Sequence, residues 1–225
     1  MSRLSEPAAT RPHERFSNLR VARHPLVEDT LAQLRDARTP REAFRHALST
    51  LSRLLASEAT RDLPSVAVEI DTPNGLSATR RVDSERIALV PVLRSGLGML
   101  GGMLDLLPAA AVGHVGLARD ATTKRPREYF VKLPPDWGGP VFVVDPMVAT
   151  GGSAVHTLDL LNAHGIEDER IRFVGVVAAP EGASQLLERH PAVRVFVAAL
   201  DSHLNAAKQI VPGVGDMGDR LFGTE

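Results

Sequence analysis

An α/β fold, a parallel sheet flanked by helices, is predicted by three observations on this 225-residue chain. Beyond residue 86, short apolar runs alternate with helical periodicity. Strand candidates lie at Ile87–Val92, Ala111–Leu117, Val141–Val144, Phe173–Ala178 and Val193–Ala199, and helix candidates at Leu97–Leu107, Ser153–His164 and Glu181–Arg189. Such alternation is the sequence form of a sheet with helical crossovers. Hydrophobic residues make up 44% of the chain but aromatics only 4%. The core is therefore built from Val, Leu, Ile and Ala, which suits strands buried on both faces. Finally, two of the strands run directly into small-residue turns and then helices, an arrangement that binds ligands beyond the carboxyl ends of the strands.

Taken in order, residues 1–20 carry Pro7, Pro12 and four arginines with few apolar groups, which predicts a flexible N-terminal arm. Residues 21–225 are expected to form a single domain whose last segment is 201–225. Helical periodicity runs from Leu26 to Leu34 and from Ala43 to Leu55, with Thr39 as N-cap and Pro40 in the first turn of the second helix. Ser65–Ile70 and Leu76–Val82 flank Thr72-Pro-Asn-Gly75, a hairpin signal, so a β-hairpin arm is expected outside the main sheet. Ala118–Glu128 is charged and aperiodic and reads as a loop; loops of that length are commonly functional.

Composition excludes several classes. A net charge of −1 gives no support for nucleic-acid binding, which is driven by phosphate neutralisation. Without cysteine there are no disulfides or thiolate metal sites. No run approaches the ~20 apolar residues that span a bilayer, and residues 1–20 lack the apolar core of a signal peptide. A cytoplasmic enzyme that contacts neither membrane nor nucleic acid is the simplest expectation.

The most informative stretch is Val141-Phe-Val-Val-Asp-Pro-Met-Val-Ala-Thr-Gly-Gly-Ser153. A buried strand ends in an acid, and a glycine turn opens a helix. Free N–H groups of the turn, the Thr150 and Ser153 hydroxyls and the positive end of the helix dipole favour a phosphate. Gly151 and Gly152 let backbone approach the ligand. Asp145 would repel a phosphate, so it is assigned to sugar hydroxyls. Val90-Pro-Val-Leu-Arg-Ser-Gly-Leu-Gly98 is a second strand–turn–helix, and two anion turns on one edge would clamp a substrate charged at both ends.

Asp145-Pro-Met-Val-Ala-Thr-Gly-Gly-Ser153 resembles the 5-phosphoribosyl 1-diphosphate (PRPP) loop of type I phosphoribosyltransferases, and Pro146 after the acid is similar to the uracil-specific branch. His24-Pro-Leu-Val27, Val90–Gly98, Ile210–Asp219 and Phe222-Gly-Thr224 agree in order and spacing. The resemblance implies a type I phosphoribosyltransferase-like sheet with a hood made from N- and C-terminal segments. It also implies the reaction uracil + PRPP → UMP + diphosphate in pyrimidine salvage. By the same resemblance Arg94 and Arg119 contact the diphosphate, and Asp145, Pro146, Met147, Val148, Ala149, Thr150, Gly151, Gly152 and Ser153 hold PRPP. Ile210, Gly215, Asp216 and Met217 line the uracil site, with Asp216 also near PRPP. Catalytic roles fall to Asp145, Arg94, Arg119 and Asp216.

Some positions depart from the family pattern. Ala118-Arg-Asp-Ala121 lacks the usual aromatic and acid; Met217 stands where Ala is common, and Gln209 where Tyr is frequent. Lys124, Arg125 and Arg127 could close over the leaving group or form a solvated basic loop. Only one acid precedes the turn, so Mg²⁺ is expected to be held through substrate oxygens and water with no protein metal ligands. The family resemblance further implies self-association and, for some members, a GTP effector. Two alternatives stay open: a phosphoribosyltransferase for another base, or a non-enzymatic nucleotide-sensing regulator on the same fold. A dinucleotide site is disfavoured because G-x-G-x-x-G is absent.

Overall fold

The computed structural model describes residues 12–119, 126–135 and 138–224. The first half contains β1 (Pro12–His13), β2 (Phe16–Val21), α1 (Pro25–Arg35), α2 (Arg41–Ala59), β3 (Ser65–Thr72), β4 (Gly75–Val82), β5 (Ala88–Leu93), α3 (Leu97–Leu104), β6 (Ala111–Val112), β7 (His114–Arg119) and β8 (Pro126–Lys132). The second half contains β9 (Val141–Val144), β10 (Met147–Val148), α4 (Gly152–Ala163), β11 (Ile171–Ala178), α5 (Pro180–Arg189), β12 (Arg194–Leu200), β13 (His203–Leu204), β14 (Ile210–Val211) and α6 (Met217–Phe222).

The main sheet runs β1-β2-β12-β11-β9-β5-β7-β8. Its middle, β2 to β7, is parallel, and β1 and β8 close the two edges antiparallel. From β5 the chain moves outward to β7 and β8. From β9 it moves the other way, through β11 to β12. The strand order therefore reverses between β5 and β9, and a crevice at such a reversal is where open α/β sheets bind ligands.

Burial explains why Val141–Val144 is apolar throughout. Phe142 and Val144 pack into the cluster under α1, α2 and α3 with Leu48, Leu51, Met99 and Val174. Val141 and Val143 face the opposite cluster with Leu158, Leu161, Phe173 and Leu186 from the α4 and α5 side. A strand covered on both faces has no polar side to alternate with.

At the amino end of β11 the sheet buries a charge. Arg172, 2% exposed, pairs with Asp62 at 2.7 Å, bonds the Ala59 carbonyl at the end of α2, and lies 5.5 Å from the Phe142 ring centre. Arg194, in register on β12, meets the other Asp62 oxygen. Burial and the neighbouring Arg194 pull the Arg172 pKa below its ordinary value, and Asp62 opposes that pull.

Three expectations are corrected. Composition predicts a loose arm up to residue 20, but β2 joins the sheet parallel to β12, with Leu19 opposite Val195 and fully buried. The few apolar residues there suffice because β2 is near an edge; residues 1–11 lie outside the described residues. The charged loop is shorter than expected, because β8 returns antiparallel along β7. Its charges suit an edge strand, where they discourage further pairing. Residues 120–125, including Lys124 and Arg125, lie outside the described residues. Pro40, not Thr39, is the N-cap of α2, while the Thr39 hydroxyl bonds the Gln33 carbonyl at 2.6 Å. The hairpin β3–β4 forms its own two-stranded sheet, as expected.

Candidate active site

The β5–α3 turn and the β9–α4 turn lie side by side at the strand reversal. They touch through side chains: Ser95 Oγ is 3.4 Å from Asp145 Oδ1. Ser95, Asp145 and Met147–Ala154 together line one cavity of about 170 Å³.

In the first turn, the Leu93–Arg94 peptide is cis. Gly96 is required by close approach: a Cβ there would collide with the Val144 carbonyl of β9 and with Val92. The absence of that side chain lets the two turns sit against each other. Arg94 is largely exposed and reaches toward the C-terminal segment. Its Nη1 lies 3.4 Å from Thr224 Oγ1, its Nη2 lies 3.8 Å from Asp219, and its guanidinium lies 5.9 Å from the Phe222 ring centre.

In the second turn, Asp145 is buried, and its backbone N–H bonds the Val174 carbonyl at 3.2 Å. Desolvation pushes its carboxyl up to about 7, against two donors that favour the ionised form, the Met147 backbone N–H and the Ser95 hydroxyl. Pro146 accepts from the Val176 and Val177 N–H groups, which fixes the bend to β10, itself paired to β11. Ala149 and Thr150 lead to Gly151, the N-cap of α4, at φ 87. A Cβ at Gly151 would come 2.7 Å from the Gly182 carbonyl as well as being strained by that φ. Because the cap is glycine, no capping side chain covers the first turn of α4, and its N–H groups beyond Gly152 remain available to an anion. Gly152 N–H lies 3.5 Å from Thr150 Oγ1, and Ser153 opens the helix beside it.

Arg119 is the last residue of β7, with its backbone opposite Pro126. Arg127 is on β8 and exposed. Glu128 of β8 meets His156 of α4 at 2.7 Å, so the β7–β8 hairpin is tied to the helix that opens at the phosphate turn.

The C-terminal segment folds back over this edge. Ile210 lies in β14, paired with Leu204. Gly215 has φ 75. Asp216 caps α6, its carboxylate accepting from the Asp219 N–H at 3.0 Å. Met217 is fully buried among core residues. Gln209 is exposed and closes a small loop with Asn205, whose Oδ1 accepts from the Gln209 N–H at 3.0 Å. A cavity of about 480 Å³ lies beside this segment, bordered by Arg35, Arg41, Gly215, Asp216 and Asp219.

Several contributors carry no motif. Arg35 of α1 forks onto Asp201 at 2.5 and 2.9 Å and bonds the Gly213 carbonyl at 2.7 Å. Arg220 donates to the Leu34, Val214 and Asp36 carbonyls and stacks 4.1 Å from the Phe44 ring centre. These two arginines join α1 and α2 to the C-terminal segment. Sequence spacing gives no signal for such pairs, whose members are more than 160 positions apart. Ser95 sits within a motif, but only the fold shows its contact with Asp145.

The donor set also bears on metal binding. Among the described residues no group of three or more His, Asp or Glu could hold a metal ion. One buried carboxylate, hydroxyls and amides suit a Mg²⁺ that arrives on substrate oxygens and keeps water. No helix among the described residues is long and apolar enough to cross a membrane.

Comparison with known proteins places these features among relatives. A sequence model described as uracil phosphoribosyltransferase matches residues 21–224. A uracil phosphoribosyltransferase from Pediococcus pentosaceus is 50% identical over 206 residues, 91% of this chain and 98% of that one. One from Rhodospirillum centenum is 48% identical over 215 residues, 96% and 100% of the two chains. A solved structure of a protein from Aquifex aeolicus matches with a TM-score of 0.86 at 34% identity, covering 92% of this chain and 99% of the other.

Proposed function

The chain belongs to the uracil phosphoribosyltransferase family and is a glycosyltransferase of that kind; from this premise we propose how its site transfers the phosphoribosyl group of PRPP to N1 of uracil, releasing diphosphate and UMP. The observation that carries the proposal is the contact between the two turns at the strand reversal, Ser95 to Asp145. It supports the reading that one turn takes the diphosphate and the other the 5′-phosphate, with the ribose between them.

The 5′-phosphate binds Thr150, Ser153 and the backbone of Ala149 to Gly152, at the positive end of α4. Pro146, Met147 and Val148 form the wall between phosphate and ribose. Asp145 accepts from the ribose hydroxyls. Arg94 and Arg119 take up the charge that develops on the diphosphate as the C1′ bond breaks. Mg²⁺, carried on diphosphate and ribose oxygens, supplies further neutralisation of that charge. Lys124, Arg125 and Arg127, which follow Arg119 in the sequence, add positive charge for the leaving group.

Uracil is read by main chain at Ile210 and Gly215, with Asp216 between base and PRPP. The burial of Met217 supports this: a side chain turned into the core leaves the ring to backbone donors and acceptors. Cytosine, with N3 unprotonated and a donor at C4, would leave such fixed groups mispaired, which is costly in a buried site. Positioning N1 against C1′ then supplies much of the rate.

Residues 21–225 act as one unit in this scheme. Self-association is supported by the arm β3–β4, where Val66, Ile70, Leu76 and Val82 are exposed, because an isolated two-stranded hairpin is only marginally stable. Residence in the cytoplasm accords with the absence of cysteine. A response to GTP rests on family resemblance and is read by adding GTP to the same assay. The test is turnover with PRPP and radiolabelled uracil, cytosine, orotate or hypoxanthine. UMP from uracil alone is expected; product from another base in preference, or from none, overturns the assignment.

A further inference from the structure

Ser95 marks the contact between the two turns, but the scheme above gives its hydroxyl no chemical role of its own. Its hydroxyl is 3.4 Å from Asp145 Oδ1 and borders the same 170 Å³ cavity as the phosphate turn. The separation is longer than the roughly 2.5–3.0 Å of an ordinary O–H···O bond, and contacts that are long without substrate tighten when it binds. We propose that Ser95 is a positioning residue that turns the buried Asp145 carboxylate toward the ribose hydroxyls and favours its charged form. The proposal rests on the reading of the site as a PRPP site.

The argument begins with what Asp145 lacks. Its surroundings offer no described cation: Arg94 is turned to Asp219 and Thr224, His156 of α4 is paired with Glu128, and Asp201 after β12 is paired with Arg35. β11 beside it, from Val174 to Ala178, is apolar. A carboxylate in that setting prefers to take up a proton, and the carboxyl titrates near neutrality. A protonated Asp145 has lost accepting capacity and carries a donor of its own, the wrong complement for a ribose hydroxyl. Two donors oppose protonation, the Met147 N–H and the Ser95 hydroxyl. The first belongs to the same turn and moves with it. The second comes from the diphosphate turn, one residue after Arg94. The same contact therefore sets the charge state of Asp145 and the spacing of the two turns.

Ser95→Ala and Ser95→Thr separate this role from simple packing. With Ala, KM for PRPP at pH 7 is expected to rise about 3- to 10-fold, the range of one ordinary hydrogen bond. KM for uracil stays within about 2-fold on the same scale. The acid limb of the kcat/KM profile for PRPP moves to higher pH, and the deficit shrinks at pH 9, where Asp145 is ionised in either protein. Thr, which keeps the hydroxyl, restores the wild-type profile. Carboxyl ¹³C NMR of Asp145 should show a raised titration midpoint in the Ala variant, read directly and independently of turnover. An Ala variant with an unchanged midpoint, or with a loss equal at all pH values, overturns the proposal. Wild-type protein that makes no UMP from uracil and PRPP removes the underlying reading itself; active wild type with an indifferent Ala variant removes only the role of Ser95.

Discussion

The sheet buries Arg172 at one end and Asp145 at the other, and treats the two differently. At the amino edge Arg172 is enclosed with Asp62, the Ala59 carbonyl and the face of Phe142. At the carboxyl edge Asp145 is equally sheltered but meets only a hydroxyl and an amide N–H. The first charge meets a counter-charge and a carbonyl inside the protein, with its Nε left without a partner among the described residues, and serves the fold. The second remains partly unsatisfied in the protein alone, and its binding energy is available to a ligand that brings hydroxyl donors. Burying charge without a counter-charge is costly, so a group left in that condition marks a site.

The sharpest way to break this contrast is Asp145→Asn. Loss of the acceptor charge is expected to lower kcat/KM for PRPP by about 10²-fold or more, with no fall in melting temperature. The pH dependence has a definite sign. Asp145 titrates higher in the folded protein than in the unfolded chain. The native state therefore holds the extra proton between about pH 4 and pH 7, and the contribution of this group to stability falls as pH rises across that window. Above pH 7 the burial costs on the order of a few kcal/mol. Melting curves from pH 5 to 8 should show the Asn variant gaining on wild type as pH rises; a variant that melts lower throughout would place Asp145 in the fold rather than the site.

Arg172→Ala should give the opposite result. It empties buried volume and leaves the Ala59 carbonyl without its donor, so stability should drop by about 3 kcal/mol. KM for PRPP in the folded fraction should not change, as denaturant titration paired with initial rates will read. Met217→Ala tests the base pocket: a loss of about 2 kcal/mol in stability is expected, with KM for uracil nearly unchanged. A large change in that KM would put the side chain in contact with the ring. The smallest effect belongs to Glu128→Gln. Loosening the β8–α4 tie costs less than about 1 kcal/mol and should appear as a modest rise in KM for PRPP with kcat held.

Much of this was legible in the chain. Val141–Val144 is a strand to the residue, because a doubly buried strand is an unbroken apolar run. The turn after it shows itself through its glycine pair, of which Gly151 tolerates no Cβ, and the hairpin arm through Asn74-Gly75. What escaped notice depends on partners far along the chain. β2 is made a strand by β12, which supplies its hydrogen bonds. β8 reads as charged loop because an edge strand needs no apolar face, although Tyr129-Phe130-Val131 has strand propensity. The direction of Met217 is likewise set by tertiary packing, since a six-residue helix offers too little periodicity to fix it.

The Arg35–Asp201 fork and the Arg220 bonds have a consequence for how the protein is made. The turns proposed to hold the sugar are encoded between residues 88 and 178, within one contiguous stretch. The segment proposed to read the ring follows after residue 200, and it is fastened to α1, more than 160 positions before it. A nascent chain thus has the grip for the donor encoded well before it has anywhere to seat the acceptor. Premature termination would leave a polypeptide with the sugar turns but no partner for their cargo.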